Sequence, residues 1–144
     1  MKQTGVITLD NGHEIRIEFY PEDAPKTVEN FVTLTRKGFY NNLTFHRVVP
    51  DFVVQGGCPK GDGTGGPGYT VKAEFNKQKH VRGSVAMARS QHPDSAGSQF
   101  YITYGTTPHL DGNYTVFGHV VSGMEHVDRI KAGDRMKTVT IVEE

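Results

Sequence analysis

Three polar side chains stand among bulky apolar ones in a way that suggests a site. Arg47 and Gln55 lie inside the run from Phe45 to Gly57, FHRVVPDFVVQGG, and Gln99 opens the run QFYIT. Around them are Phe52, Val53, Met87, Phe100, Tyr101 and Leu110. An apolar slot with a few fixed donors is the composition of a ligand site. The chemistry these residue types support is non-covalent: hydrogen bonding to a ligand held against apolar walls. Pattern alone leaves an alternative open, in which Arg47 pairs with a surface carboxylate and the aromatics belong to the core.

Other chemistries find less support. Gly97-Ser98-Gln99 is not the G-x-S-x-G nucleophile elbow, and no helix follows it. Cys58 has no sequence neighbour that would lower its pKa. The stretch Gly61 to Gly66 formally matches a dinucleotide fingerprint, but Pro67-Gly68 follows where a helix should open, so a turn-rich surface loop is expected. The seven histidines, at 13, 46, 80, 92, 109, 119 and 126, include no i, i+4 pair. No metal and no cofactor are expected. Most of these histidines read as surface or loop residues, with His46 expected to make a buried hydrogen bond. Asp51, Asp62 and Asp94 lie in loops without a clear partner, which leaves a hydrolase with paired carboxylates unsupported.

Several elements must position these residues. Ile15, Ile17 and Phe19 alternate with Glu14, Arg16 and Glu18, the period of a half-buried strand. With residues 6–9 they form a hairpin, and Asn11-Gly12 predicts a type I′ turn. Residues 24–37 predict the main helix. Pro25 falls in its first turn, Val28, Phe31, Val32 and Thr35 form its apolar stripe, and Gly38 takes the left-handed position after it. Residues 43–56 predict two strands broken at Pro50-Asp51, a turn that would bring Arg47 and Phe52 to one side. The loop that follows holds seven glycines in thirteen residues. Further strands are predicted over 69–74, 84–88, 99–103, 115–121 and 138–142. A second helix is predicted over 124–131, with Ser122 and Glu125 at capping-box spacing. About eight short strands and two helices, without β-α-β alternation, favour a mostly antiparallel barrel or sandwich.

The 144 residues suit one domain, 1–144, with enough core to need no staple. Formal net charge is zero and no basic run exceeds two residues, so neither nucleic acid nor a membrane surface is an expected partner. A lone Cys58 makes no internal disulfide, and no stretch approaches the ~18 apolar residues of a membrane span. The first ten residues have too short an apolar core for a signal peptide. Cytoplasm is the default location.

The order of motifs resembles the cyclophilins, the peptidyl-prolyl cis-trans isomerases. The run from Phe45 to Gly57 is similar to their signature. Gly63-Thr64-Gly65-Gly66, the run from Ser84 to Ala88, the run from Gly97 to Ile102, Leu110-Asp111-Gly112 and Val116-Phe117-Gly118 follow in order. The resemblance covers nearly the whole chain and is strongest to the short bacterial members. It implies a mainly β fold, a closed eight-stranded antiparallel β-barrel capped by two α-helices. It implies catalytic roles for Arg47, Phe52 and Gln55. It implies substrate binding by Val53, Ala88, Arg89, Gln99, Tyr101, His109, Leu110 and Tyr114. Partners would be proline-containing peptides and folding proteins, met by a monomer. The chain departs from the pattern in places. His109 stands where eukaryotic members carry Trp, so weakened cyclosporin binding is expected. Tyr114 replaces a pocket His, Arg89 replaces an Asn, and Tyr101 replaces a Phe, adding a hydroxyl to the pocket wall. A non-catalytic module binding proline peptides is the alternative function.

Overall fold

The computed structural model describes residues 2–143. The alternating segment forms β2 (Glu14–Phe19), with Ile15, Ile17 and Phe19 buried and the charged residues between them turned outward. It pairs antiparallel with β1 (Gln3–Leu9), Ile7 opposite Ile15. The connecting turn is not type I′, because Gly12 alone has positive φ, at 88°. Gly12 N–H donates to Leu9 O and Leu9 N–H to His13 O, each at 2.9 Å. The three-residue loop is therefore a type I turn closed by a glycine bulge.

The helix α1 (Pro25–Arg36) buries Val28, Phe31, Val32 and Thr35, the stripe its periodicity predicts, together with Leu34. Phe31 meets Phe100 edge-on, with centroids 5.5 Å apart at 81°. The first-turn amides are capped from far along the chain. The Glu74 carboxylate accepts from Thr27 N–H at 2.7 Å and from the Thr27 hydroxyl at 2.8 Å, placing negative charge at the positive end of the helix. At the other end Gly38 has φ 76°, and Gly38 N–H and Phe39 N–H donate to Thr35 O and Leu34 O, closing a Schellman motif.

The remaining strands are β3 (Arg47–Val49), β4 (Val53–Gly56), β5 (Ser84–Met87), β6 (Phe100–Thr103), β7 (Val116–Ser122) and β8 (Met136–Glu143). They join β1 and β2 in one antiparallel sheet of order β3-β4-β6-β5-β7-β2-β1-β8. The sheet curls around a core of Ile7, Phe31, Tyr40, Phe45, Phe100 and Phe117. The fold is mainly β, as expected, but the expected closed barrel is open. The end strands β3 and β8 do not pair. One bridge, Thr44 to Arg135, and backbone bonds such as Phe45 N–H to Asp134 O at 2.8 Å span part of the seam. Beyond them β3 turns to follow β4 while β8 turns to follow β1.

Two further expectations change. Residues 69–74 form no strand; Val71 bridges Ala96 and the rest is irregular. The second helix, α2, is only Met124–Val127, and Ser122 makes no cap because it ends β7. Gly123, at φ 91°, caps it instead. A Cβ there would lie 2.3 Å from Glu14 O, so only glycine fits.

The turn between β3 and β4 runs Val49-Pro50-Asp51-Phe52, with Phe52 N–H donating to Val49 O at 3.0 Å. Asp51 takes φ 62°. Proline before a positive-φ residue is the type II arrangement. A β-branched residue tolerates the left-handed region badly. Asp51→Val should therefore lower stability by about 1–2 kcal/mol, and Asp51→Gly by less, in urea unfolding followed by circular dichroism.

Candidate active site

The short turn at Pro50-Asp51 sets β3 against β4 with Arg47 opposite Gln55. In turn β4 lies beside β6 with Gln55 opposite Tyr101. Side chains on one face of these strands open onto a cleft of about 310 Å³. Arg47, Phe52, Val53, Gln55, Ala88, Arg89, Tyr101, Leu110 and Tyr114 all line it. Arg47 and Phe52 thus share a side. Behind the cleft Val53, Ala86, Tyr101 and Val116 form a small cluster of buried residues separate from the main core, on which Phe52, Leu110 and Tyr114 pack.

Two of the expected site residues stand just outside. Gln99 lines an adjoining pocket of about 480 Å³ that shares Gln55, Gly63, Ala88 and Arg89 with the cleft. His109 is exposed, on the single 3₁₀ turn Pro108–Leu110, and stacks on Phe52 with centroids 5.7 Å apart. Gln99 is nevertheless wired to the cleft. Its Nε2 donates to the carbonyls of Gly63 and Gly65, each at 2.9 Å. Its Oε1 accepts from Gln55 Nε2 at 3.0 Å. Gln55 Oε1 accepts from Arg47 Nη1 at 3.4 Å. The guanidinium sits at the exposed rim with further donors free for a ligand.

The glycine-rich loop holds no helix, as its Pro67-Gly68 ending predicts. Asp62, expected to have no partner, accepts from Thr64 N–H at 2.9 Å and from the Thr64 hydroxyl at 2.6 Å. These bonds hold its carboxyl below the usual carboxylate range, with the hydroxyl contact the largest cause. The same turn presents the two carbonyls that hold Gln99. Asp94 accepts from Ala73 N–H at 2.9 Å. The Arg89 side chain is held by its neighbours: it lies 4.4 Å over the Tyr114 ring and donates to Asn113 O at 2.6 Å and to Ser90 O at 2.9 Å.

Sequence reasoning missed His46, Asp62 and Gly63, which also line the cleft. Nδ1 of His46 is buried without a partner among the described residues, so the hydrogen bond expected there is absent. Burial pushes its pKa down, with Asp62 opposing and Arg47 assisting. It also missed His80, which is fully buried and not a loop histidine on the surface. Its Nε2 lies 2.8 Å from the Tyr101 hydroxyl. The hydroxyl expected on the pocket wall is therefore turned back into the protein. Burial raises the Tyr101 pKa, with Tyr114 adding to it, so the phenol is neutral. No local signal marks His80, since its partners are 21 and 31 residues away. Among the described residues no three His, Cys, Asp or Glu side chains are grouped as a metal site.

The sequence and the fold are matched by known proteins. The family described as cyclophilin type peptidyl-prolyl cis-trans isomerase matches residues 5–143. The chain belongs to that family, and its activity is the cis-trans isomerisation of peptidyl-prolyl bonds. It is 51% identical over 141 residues to peptidyl-prolyl cis-trans isomerase B of Bacillus subtilis, covering 96% of this chain and 98% of that one. A cyclophilin type isomerase of Cryptosporidium parvum superposes with a TM-score of 0.91 at 30% identity, over 100% of this chain and 99% of that one. A second crystal structure of that protein, obtained in the presence of the dipeptide Ala-Pro, superposes at 0.89 and 31% identity, over 98% and 99%. No helix among the described residues is long and apolar enough to cross a membrane.

The buried His80 and the half-buried His46 give a pH dependence. Burial lowers the pKa of His46 and of His80, Asp111 opposing at the latter. Once unfolded, both take up protons near pH 6.5. Below that value the unfolded chain binds more protons than the folded one, so stability falls as pH drops until the folded-state pKa values are passed. Urea midpoints should be lower at pH 5.5 than at pH 7.5; for His80→Asn the difference should be smaller.

Proposed function

We propose that Arg47 accelerates X–Pro rotation by hydrogen bonding to the amide in its twisted state, with the proline ring held in the cleft. Unaided, the bond rotates over a barrier of roughly 20 kcal/mol, taking tens to hundreds of seconds. A millisecond turnover requires a gain of about 10⁴ to 10⁵, or roughly 6 to 7 kcal/mol. On twisting, resonance is lost and the proline nitrogen regains a lone pair. A guanidinium donates to that lone pair more strongly than to the planar amide, so its binding favours the transition state. One charge-assisted bond in a partly desolvated groove contributes roughly 1.5–3 kcal/mol. The rest comes from shedding the water that stabilises the polar, planar amide, while the apolar walls seat the ring in both states.

The observation that carries this reading is the ordered chain Gly63/Gly65–Gln99–Gln55–Arg47 beside an apolar cleft. Phe52, Val53, Tyr101 and Leu110 would surround the ring, with Tyr114 and the exposed His109 at the edge. Gln55 would hold the guanidinium toward the amide and Gln99 would hold Gln55. The backbone of Ala88 and Arg89 would meet the flanking peptide, which continues toward the adjoining pocket. That a related isomerase was crystallised with Ala-Pro supports proline peptides as the ligand class. We extend the reading to a single isomerase domain over 1–144, acting as a cytoplasmic monomer on folding proteins.

Arg47→Ala should lower turnover of a short X–Pro peptide ten-fold or more in a protease-coupled assay, with the thermal midpoint nearly unchanged. Equal activity would remove Arg47 from the mechanism, and binding without acceleration in the unmodified protein would favour a binding module. Lys at this position should rescue poorly, lacking the planar fork. Cyclosporin should inhibit only weakly; His109→Trp, by enlarging the apolar surface beside Phe52, should tighten inhibition.

A further inference from the structure

Behind the cleft lies a polar group that the mechanism above does not use. The His80 side chain is 0% exposed, and it reaches two separate parts of the site. Its Nδ1 is 3.0 Å from Asp111 Oδ1, which also accepts from His80 N–H at 2.7 Å. Its Nε2 is 2.8 Å from the Tyr101 hydroxyl. The rings of His80 and Tyr101 stack, 12° from parallel, and Tyr114 stands edge-on to both. Thr107 N–H donates to His80 O at 3.1 Å, tying the same residue to the chain just before the 3₁₀ turn.

The proton assignments follow from chemistry. A carboxylate only accepts, so Nδ1 of His80 carries the hydrogen. In the neutral ring Nε2 is then an acceptor, and the Tyr101 hydroxyl donates to it. The hydroxyl hydrogen therefore points away from the cleft, and a ligand meets only the aromatic face. Asp111 directly follows Leu110, so the same imidazole fixes Tyr101 on β6 and the segment that carries Leu110 and Tyr114.

We propose that His80 is a positioning residue for the isomerase, setting the separation of the two walls of the cleft through Tyr101 and Asp111. This rests on the reading of the cleft as the proline pocket. The walls contact the ring in both the planar and the twisted state, so loosening them weakens binding of both alike and raises KM while leaving kcat nearly unchanged. Loss of Arg47 does the opposite, lowering kcat.

The test measures kcat and KM separately for an X–Pro peptide in the unmodified protein, Tyr101→Phe, His80→Asn, the double variant and Arg47→Ala, well below each thermal midpoint. The shorter amide side chain of the His80→Asn variant retains a donor near the Nδ1 position for Asp111 and loses the reach to Tyr101. Tyr101→Phe and His80→Asn should each raise KM about five-fold, the equivalent of one ordinary hydrogen bond. The double variant should be no worse than either single one. Unchanged KM in Tyr101→Phe, or effects that multiply in the double variant, would overturn the proposal. Should His80→Asn fail to fold, Tyr101→Phe and the long-range ¹H–¹⁵N spectrum of His80 decide it: the Nδ1–H tautomer is expected, and the Nε2–H tautomer would overturn it. If Arg47→Ala keeps its kcat while Tyr101→Phe raises KM, the role of Arg47 fails and that of His80 stands. If only Arg47→Ala has an effect, the reverse holds.

Discussion

A carbonyl oxygen accepts hydrogen bonds and cannot donate them, and the polar half of the cleft depends on that asymmetry. Gly63 and Gly65 present two carbonyls to one side chain, which must answer with its amide nitrogen. The oxygen of Gln99 then faces Gln55, the nitrogen of Gln55 answers it, and the oxygen of Gln55 faces Arg47. Each step leaves one orientation for the next. The loop thus dictates where a guanidinium on β3 points, through two glutamines and not through a direct hydrogen bond. Asp62 completes the arrangement by tying the loop to Thr64.

The apolar half follows a similar logic with a histidine at its centre. Asp111 fixes one ring nitrogen and so decides what the other can offer Tyr101. Both halves solve the same problem. A flexible side chain is held in one orientation by partners that cannot change role, and the entropy of ordering it is met during folding, before a ligand arrives.

Much of this fold could be read from local pattern. The alternation in β2, the apolar stripe of α1 and the glycine after it are short-range signals, and each produced the expected element. Failures came where the partner is distant. Residues 69–74 have strand-like residues, but Glu74 is drawn to the first turn of α1 and Ala73 to Asp94, so the segment binds side chains and makes only one bridge. Ser122 has capping spacing, but its backbone continues β7 opposite Arg16. The open seam depends on where β3 and β8 diverge, which no window of sequence contains. Within the site, the composition pointed to Arg47, Gln55 and Gln99. It also pointed to Phe52, Val53, Tyr101 and Leu110 beside them, and the resemblance added Ala88, Arg89, His109 and Tyr114. His80 sits between Lys79 and Val81 like any loop histidine, and nothing nearby in the chain hints at Tyr101 or Asp111.

The open seam has a mechanical consequence. Strand β3 is three residues long and bonded along one side only, whereas β4, its neighbour, is clamped on both. A strand held on one side deforms at lower cost than one inside a ladder. The guanidinium is thus mounted on the most compliant strand facing the cleft, and Val53 and Tyr101 of the apolar wall on stiffer neighbours. If Arg47 donates to the amide as proposed, the ring and its nitrogen can stay seated while the donor shifts to meet the lone pair as it forms, a division between anvil and spring that a fully closed barrel would have made harder to arrange.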